Sequence, residues 1–387
     1  MQFPQRFSDL PAYAFPRLRA LLDQHAPGGD VLHMSIGEPK HPFPPFVAEI
    51  IQRNAADFGK YPPNPGDEDL LAATAEWIST RYGLSLDPSL NFLALNGTRE
   101  GLFNAVLALC PEKKNGQRPI VLMPNPFYQV YAVGAIEARA DPVMLPATAE
   151  TGYLPDFDAV PDDVLSRTSI AFVCSPSNPQ GAVATSAYWQ NLLDLAEKHD
   201  FRIFADECYS EIYRAEQPPG VLETNADPER IVAFHSLSKR SNLPGLRSGF
   251  AASGPKNIAA MKKLREYAGA PMPLPLQSAA AAAWRDEEHV NENRALYRAK
   301  YDIADQILGD VDGYQSPNAG FFLWIPVSDG EQAALKIWKE TGVRVLPGAY
   351  LSRPVDGCDP GAGYIRIAMV APTDEFRNGL KLVRQCL

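Results

Sequence analysis

Polar residues that could do chemistry directly follow several apolar segments of this chain. The clusters are Leu95-Asn96-Gly97-Thr98-Arg99, Asn178 within residues 174–181, Asp206-Glu207-Cys208-Tyr209, Ser236-Leu237-Ser238-Lys239, and Arg366 within residues 364–368. If each apolar segment is a strand of an open α/β sheet, these clusters meet just beyond the carboxyl ends of the strands, where such sheets bind ligands. We therefore expect one shared cleft.

The types of these residues indicate a phosphate site beside a reactive amine. Ser236, Ser238 and Arg247 offer two hydroxyls and a guanidinium, groups that can satisfy the oxygens of a phosphate dianion. Gly97-Thr98 passes from a predicted strand into a helix, whose N-terminus also favours an anion. Each cluster alone is equally typical of a turn, a helix cap or a solvated basic loop. Their common order and position carry the prediction.

The apolar segments themselves predict an α/β domain with a mainly parallel sheet. Most are continuous apolar runs, as expected of strands buried on both faces, and helical patterns lie between them. The seven predicted strands are 92–95, 120–123, 143–145, 170–174, 203–205, 231–234 and 249–252.

A change of pattern after Pro275 predicts a second, smaller α+β domain. It contains a long helical pattern at 290–308 and strand-like segments at 321–325 and 364–369. With 387 residues, two domains are the expected organisation. We expect a large domain at 41–285 and a small domain formed by 1–40 and 286–387.

Composition excludes several other classes of function. The net charge of −10 argues against nucleic-acid binding, and there is no apolar run long enough to predict a membrane span. The five cysteines are odd in number without a C-x-x-C, and the histidines lack zinc-type spacing, so we expect no metal. The N-terminus lacks the apolar region of a signal peptide, and a cytoplasmic location is predicted.

Taken together, these motifs resemble the fold-type I pyridoxal phosphate (PLP) enzymes, in the class I/II branch of the aspartate aminotransferase superfamily. The resemblance covers residues 35–369, and Ser236-x-Ser238-Lys239 with Arg247 is its most specific motif. It implies a large domain with a mainly parallel seven-stranded sheet flanked by helices, and a smaller α+β domain.

The resemblance also implies roles at the cofactor ring. Lys239 would bind PLP as a Schiff base and later move a proton between the substrate α-carbon and the cofactor. Asp206 would keep the pyridine nitrogen protonated, which makes the ring an electron sink. Tyr209 and Asn178 would hydrogen-bond the phenolic oxygen of the ring, and Tyr128 would stack on the ring.

The remaining implied contacts concern the phosphate and a second subunit. The phosphate would be held by Ser236, Ser238, Arg247 and the Gly97-Thr98 backbone, with Arg99 beside them. Tyr61 matches a tyrosine that reaches the phosphate from the neighbouring subunit, so a homodimer is expected.

Substrate contacts follow from the same resemblance. Arg366 would clamp the α-carboxylate, with Asn178 beside it, and Gly37 would lie on a segment that closes over the substrate. Arg99 could contact a distal carboxylate, and Lys40 could do the same. Amino acids and keto acids, with glutamate and 2-oxoglutarate as one pair, are the expected substrates.

Within the superfamily, three stretches are most similar to the N-succinyldiaminopimelate aminotransferases of bacterial lysine synthesis. They are residues 36–42, 238–250 and 346–350. The expected reaction is transfer from glutamate to N-succinyl-2-amino-6-oxopimelate. An aminotransferase for aspartate, acetylornithine or an aromatic acid stays open, as does a PLP carbon–sulfur lyase. Ser236-x-x-Lys239 could also belong to a serine acyl-transfer enzyme, but its partner motifs S-D-N and K-T-G are missing.

Overall fold

The computed structural model describes residues 3–8 and 10–387, so Met1, Gln2 and Asp9 of the predicted small domain lie outside the described residues. The strands are β1 (Leu32–His33), β2 (Phe92–Leu95), β3 (Ile120–Asn125), β4 (Asp141–Pro146), β5 (Thr168–Cys174), β6 (Arg202–Asp206), β7 (Ile231–Ser236), β8 (Gly249–Ser253), β9 (Phe322–Pro326), β10 (Val343–Arg344), β11 (Leu346–Pro347) and β12 (Tyr364–Ala368). The helices are α1 (Ala14–Leu22), α2 (Phe46–Arg53), α3 (Glu68–Tyr82), α4 (Pro88–Asn91), α5 (Thr98–Leu109), α6 (Gln129–Glu137), α7 (Asp162–Arg167), α8 (Ser186–His199), α9 (Leu237–Arg240), α10 (Pro255–Ala268), α11 (Leu274–Arg285), α12 (Glu288–Leu308), α13 (Gly330–Thr341) and α14 (Thr373–Cys386).

Strands β2 to β8 form a seven-stranded sheet in the order β2-β8-β7-β6-β5-β3-β4. All neighbours are parallel except β8, which is antiparallel to both β2 and β7. The predicted strands and the mainly parallel sheet are therefore confirmed. In this register Cys174 lies opposite Asp206, and Asp206 opposite Phe234. The carboxyl ends of β5, β6 and β7 consequently lie side by side.

Burial on both faces explains why these segments are continuously apolar. One face of the sheet packs against a core that includes Trp77, Trp189 and Trp284. The other face packs against a core that includes Leu102 and Met261. Helices cover both faces, so the sheet is rigid and its carboxyl edge is the place where polar side chains can be held without unfolding the core.

A second layer contains the small antiparallel sheet β11-β12-β9 and the parallel pair β1-β10. Its core joins β9, β12, α12 and α14 through residues such as Leu323, Ile367 and Leu380. Helix α12 runs from beside residues 236–243, the segment that carries Lys239 and is called the lysine loop below, into this layer. The division at 41–285 stays a prediction, although residue 286 falls between α11 and α12. Among the described residues, no helix is long and apolar enough to cross a membrane.

Candidate active site

A cavity of about 380 Å³ opens at the carboxyl edge of the seven-stranded sheet. It is lined by twelve of the residues predicted from the sequence: Gly37, Thr98, Arg99, Tyr128, Asn178, Asp206, Tyr209, Ser236, Ser238, Lys239, Arg247 and Arg366. These side chains come from both layers of the molecule, so the cavity lies where the large sheet faces β12 and the segment after β1.

Lys239 lies in the single turn of α9 that follows β7. Its Nζ donates to the main-chain oxygen of Gly37 at 2.5 Å and lies 5.3 Å from the centre of the Phe321 ring. Burial lowers the pKa of this amine to about 8, and the positive charge of Arg366 acts in the same direction. An amine with such a pKa is partly unprotonated near neutral pH, as a nucleophile or a proton acceptor must be.

Asp206 is the last residue of β6 and is 5% exposed. Its Oδ2 accepts a hydrogen bond from the Tyr131 hydroxyl at 2.7 Å, and its Oδ1 accepts from the Cys208 amide at 3.3 Å. Burial raises the pKa of the Asp206 carboxyl, while these hydrogen bonds oppose the rise. A cationic group in the cavity would stabilise the ionised acid.

One end of the cavity gathers groups that suit an anion. The Ser236 hydroxyl lies 2.9 Å from that of Ser238 and caps α9 by accepting from the Ser238 amide at 3.1 Å. Thr98 is the first residue of the twelve-residue helix α5, and Gly97 is its N-cap. Free N–H groups and the helix dipole at such an end favour negative charge.

The side chain of Arg247 lies directly over Gly97 at this same end. Its Nη1 donates to the Pro244 oxygen at 2.9 Å, and Nη2 donates to the Asn96 oxygen at 3.4 Å. A Cβ on residue 97 would come 2.0 Å from Nη2, and the backbone there has a φ of +82°. Only glycine fits both conditions, so Gly97 belongs to this cluster although it does not itself line the cavity.

Arg366, on β12, closes the opposite side of the cavity and is 4% exposed. Its Nη1 donates to Asn178 Oδ1 at 2.9 Å and its Nη2 to the Ser35 oxygen at 2.8 Å. The guanidinium lies 4.1 Å from the centre of the Phe322 ring. Burial lowers the pKa of Arg366 to about 10, so it stays charged at neutral pH without a carboxylate partner among these contacts. Such a group can bind a carboxylate strongly.

Arg99 and Tyr128 form a second cationic position at the cavity. Arg99 Nε donates to the Tyr128 hydroxyl at 2.6 Å, which raises the pKa of Arg99 further. This contact uses Nε and leaves the two terminal nitrogens for other partners, with Tyr13 nearby. The stacking of Tyr128 on a cofactor ring stays a prediction.

Two residues considered in the sequence lie away from the cavity. Tyr61 is fully exposed in the loop before α3 and does not line the cavity. Lys40 Nζ lies 3.5 Å from Glu375 Oε1 in an exposed pair, so a substrate contact by Lys40 has no support.

Tyr131 is the main site residue that the sequence reasoning missed. It lies on α6, three residues after Tyr128, and its ring stacks on Phe172 at 4.2 Å. Burial raises the pKa of Tyr131 far above the neutral range, so its hydroxyl stays a donor to Asp206. Tyr128 is the N-cap of α6 and its ring lies 5.7 Å from that of Tyr131, but no local spacing in the sequence indicates the contact of Tyr131 with Asp206, 75 residues away.

Comparisons with known proteins agree with this geometry. A family model described as aminotransferase class I and II matches residues 29–381. An LL-diaminopimelate aminotransferase of Dehalococcoides mccartyi is 31% identical over 389 residues, covering 98% of this chain and 97% of that protein. The crystal structure of an aminotransferase from Neisseria meningitidis has a TM-score of 0.94 at 35% identity and covers 98% and 99% of the two chains. A probable N-succinyldiaminopimelate aminotransferase from Thermus thermophilus has a TM-score of 0.86 at 27% identity, covering 97% of this chain and 100% of that one.

The match to the family model covers most of the chain, and relatives and solved structures match it nearly from end to end. The chain therefore belongs to the class I and II aminotransferases and is a PLP-dependent enzyme that exchanges amino groups between amino acids and keto acids.

Proposed function

We propose that this aminotransferase transfers the amino group of glutamate to N-succinyl-2-amino-6-oxopimelate, with Lys239 as the reactive amine. The observation that carries the proposal is the placement of the Lys239 amine, the buried Asp206 carboxyl and three guanidinium groups around one cavity. Arg366 and Arg99 give that cavity two separate cationic positions, as required by a long substrate with one carboxylate beside the reacting carbon and others farther away.

The residues present fit PLP. The helix N-terminus at Gly97 and Thr98, the hydroxyls of Ser236 and Ser238, and Arg247 would hold its phosphate. Asp206 would pair with its ring nitrogen, and this pairing would offset the cost of burying the carboxylate. When bound, PLP supplies a cationic ring that accepts the electron pair left at the substrate α-carbon.

Lys239 moves the proton in the proposed reaction. Its lowered pKa lets the free amine accept the proton of the substrate α-carbon near neutral pH and deliver it to C4′ of the cofactor. Tyr131 and the Cys208 amide hold the Asp206 carboxyl in one orientation. The Gly37 carbonyl accepts a hydrogen bond from the Lys239 amine within the cavity, so it can hold the amine whenever that amine is free.

The substrate is bound at its two ends. Arg366 would bind the α-carboxylate in bidentate fashion, because Asn178 and Ser35 fix the guanidinium and the Phe322 ring supports its face. Asn178 Oδ1 accepts from Arg366, so its amide nitrogen is left to donate to the ring oxygen, as Tyr209 would. Arg99 would bind the distal carboxylate beyond Tyr128.

A second candidate substrate is LL-diaminopimelate without the succinyl group. The relative from Dehalococcoides mccartyi carries that activity in its name, whereas the less similar Thermus thermophilus protein is named for the succinylated compound. Both substrates place a carboxylate far from the reacting carbon, so Arg99 would serve either.

We also propose that the active unit is a homodimer in which Tyr61 reaches the neighbouring cavity. Tyr61 is fully exposed and does not line the cavity of its own chain, so a contact with a cavity would have to be made in another subunit. The cytoplasmic location suggested by the sequence stays a prediction.

Replacing Gly97 by alanine tests the phosphate site. The added Cβ would displace the Arg247 guanidinium, and loss of this charge-assisted contact should weaken PLP binding on the order of 10- to 100-fold. Gly116→Ala is the matched control, since Gly116 also has a positive φ, of +76°, but has no atom within 4 Å of the added Cβ. Equal loss of PLP affinity in both variants, measured by titrating PLP-free protein, would show that backbone strain alone is responsible.

The substrate is tested by amino transfer to 2-oxoglutarate from N-succinyl-LL-diaminopimelate, LL-diaminopimelate, acetylornithine, aspartate and alanine. We expect the highest kcat/KM with the succinylated compound. Higher turnover of the free diamino acid would select the second candidate, and pyruvate release from cystathionine would indicate the lyase.

Arg99→Met and Arg366→Met separate the two carboxylate contacts. Arg99→Met should lower kcat/KM for the preferred long substrate about 10- to 100-fold and leave alanine nearly unchanged, because alanine has no distal carboxylate. Arg366→Met should lower kcat/KM for every amino acid. An equal loss with alanine and the long substrate in Arg99→Met would contradict the distal role.

Mixing two inactive variants tests the shared site. Tyr61→Ala and Lys239→Ala should each be nearly inactive as homodimers. Hybrid dimers formed after mixing and brief unfolding should regain activity, since one of their two cavities then contains both Lys239 and a partner's tyrosine. Dimeric hybrids without any gain in activity would refute the contribution of Tyr61 across subunits.

A further inference from the structure

A chain of buried polar groups connects the lysine loop to the small sheet through His41. Asn293, on α12, donates from Nδ2 to the main-chain oxygens of Lys239 and Arg240, each at 3.4 Å. Its Oδ1 lies 3.0 Å from His41 Nδ1. His41 Nε2 in turn lies 2.7 Å from Lys300 Nζ.

Lys300 is the far end of this chain and has no exposed surface. Its ammonium also donates to the Met369 oxygen at 2.8 Å, directly after β12, and lies 5.1 Å from the centre of the Tyr297 ring. Burial lowers the pKa of Lys300 to about 7. A buried lysine is costly unless its protons have acceptors, so the His41 contact is needed for Lys300 to stay charged.

The hydrogen bonds assign the state of His41. When Lys300 is charged, its ammonium can only donate, so His41 Nε2 then accepts and the imidazole is neutral with its proton on Nδ1. That proton goes to Asn293 Oδ1, which also accepts from Asn242 Nδ2 at 3.1 Å. The Asn293 amide is thereby oriented with its nitrogen toward the Lys239 carbonyl. Burial and the charge of Lys300 both lower the pKa of His41, which favours the same neutral form.

The main chain and the side chain of Lys239 are both connected by hydrogen bonds to the segment that carries His41. Its main-chain carbonyl is bound by Asn293, which is oriented by His41, and its Nζ is bound by the Gly37 carbonyl four residues before His41. The same segment begins at Ser35, whose oxygen holds Arg366. His41 is thus the point where this segment is attached to the lysine loop and to the small sheet at once.

We propose that His41 is a positioning residue for amino transfer: by joining Lys300 to Asn293 it fixes residues 35–41 against the lysine loop and so sets the place of the Lys239 amine. The proposal rests on the role of Lys239 proposed above. It predicts that breaking the His41–Lys300 contact slows proton transfer by Lys239 without any change in a residue that lines the cavity.

A double variant separates positioning from simple support of the fold. Lys300→Met and His41→Leu should each lower Tm, because each leaves a buried partner unsatisfied. The double variant replaces both groups by apolar side chains and should recover most of the Tm. If His41 positions Lys239, the rate of the glutamate half-reaction should stay about tenfold low in the double variant, as expected for a reacting group that is poorly oriented. Recovery of this rate together with Tm would overturn the proposal.

Hydrogen exchange in PLP-free protein gives a readout that does not need activity. In the double variant, exchange should accelerate at 36–42 and 238–243 and stay unchanged in strand β3 at 120–125. Lys336→Met is the matched control, since it removes another lysine-to-carbonyl bond, to Cys386, in the small-sheet layer. Acceleration of equal size in all three segments, or none in the first two, would overturn the proposal. If Lys239→Ala were still active, the proposed function would fail. The exchange experiment would still show whether His41 holds residues 36–42 against the lysine loop.

Discussion

The site depends on placing the Lys239 amine in a cavity where burial disfavours its protonated, charged form. Burial lowers the pKa of Lys239 to about 8, and the charges of Arg366 and Arg247 act in the same direction. The Gly37 carbonyl gives the amine an acceptor that carries no full charge, so the amine is held without being paired to a carboxylate. An ion pair at this place would raise the pKa and remove the base that amino transfer needs.

The parallel sheet explains how an acid, a group of anion-binding residues and a reactive amine are held together in one cavity. Because β5, β6 and β7 end side by side, Asp206 and Ser236 enter the cavity from fixed backbone positions. The groups that suit an anion come from α5 and Arg247, the acid Asp206 comes from β6, and Arg366 comes from β12 of the other layer. Rigid strands and helix ends hold these groups, which lowers the reorganisation needed when ligands bind.

Much of this could be predicted from the sequence, because strand-end clusters lie next to one another once a parallel sheet is assumed. Lys239, Asp206 and Arg247 belong to such clusters. The contacts of Tyr131 and His41 could not be predicted in the same way, since each joins elements far apart in the chain. His41 meets Lys300 only because α12 packs beneath the segment after β1. Lys40, in the same segment, lies in an exposed pair with Glu375, and its contact with a substrate stays a prediction.

The most direct test of the central claim is the titration of Lys239 in PLP-free protein. The rate of modification by an amine-reactive reagent, followed at Lys239 by mass spectrometry across pH, reports the fraction of free amine. The account predicts a midpoint near 8, well below the ~10.4 that is usual for a lysine side chain. A Lys239 midpoint at that usual value would contradict the claim that burial prepares this amine for proton transfer.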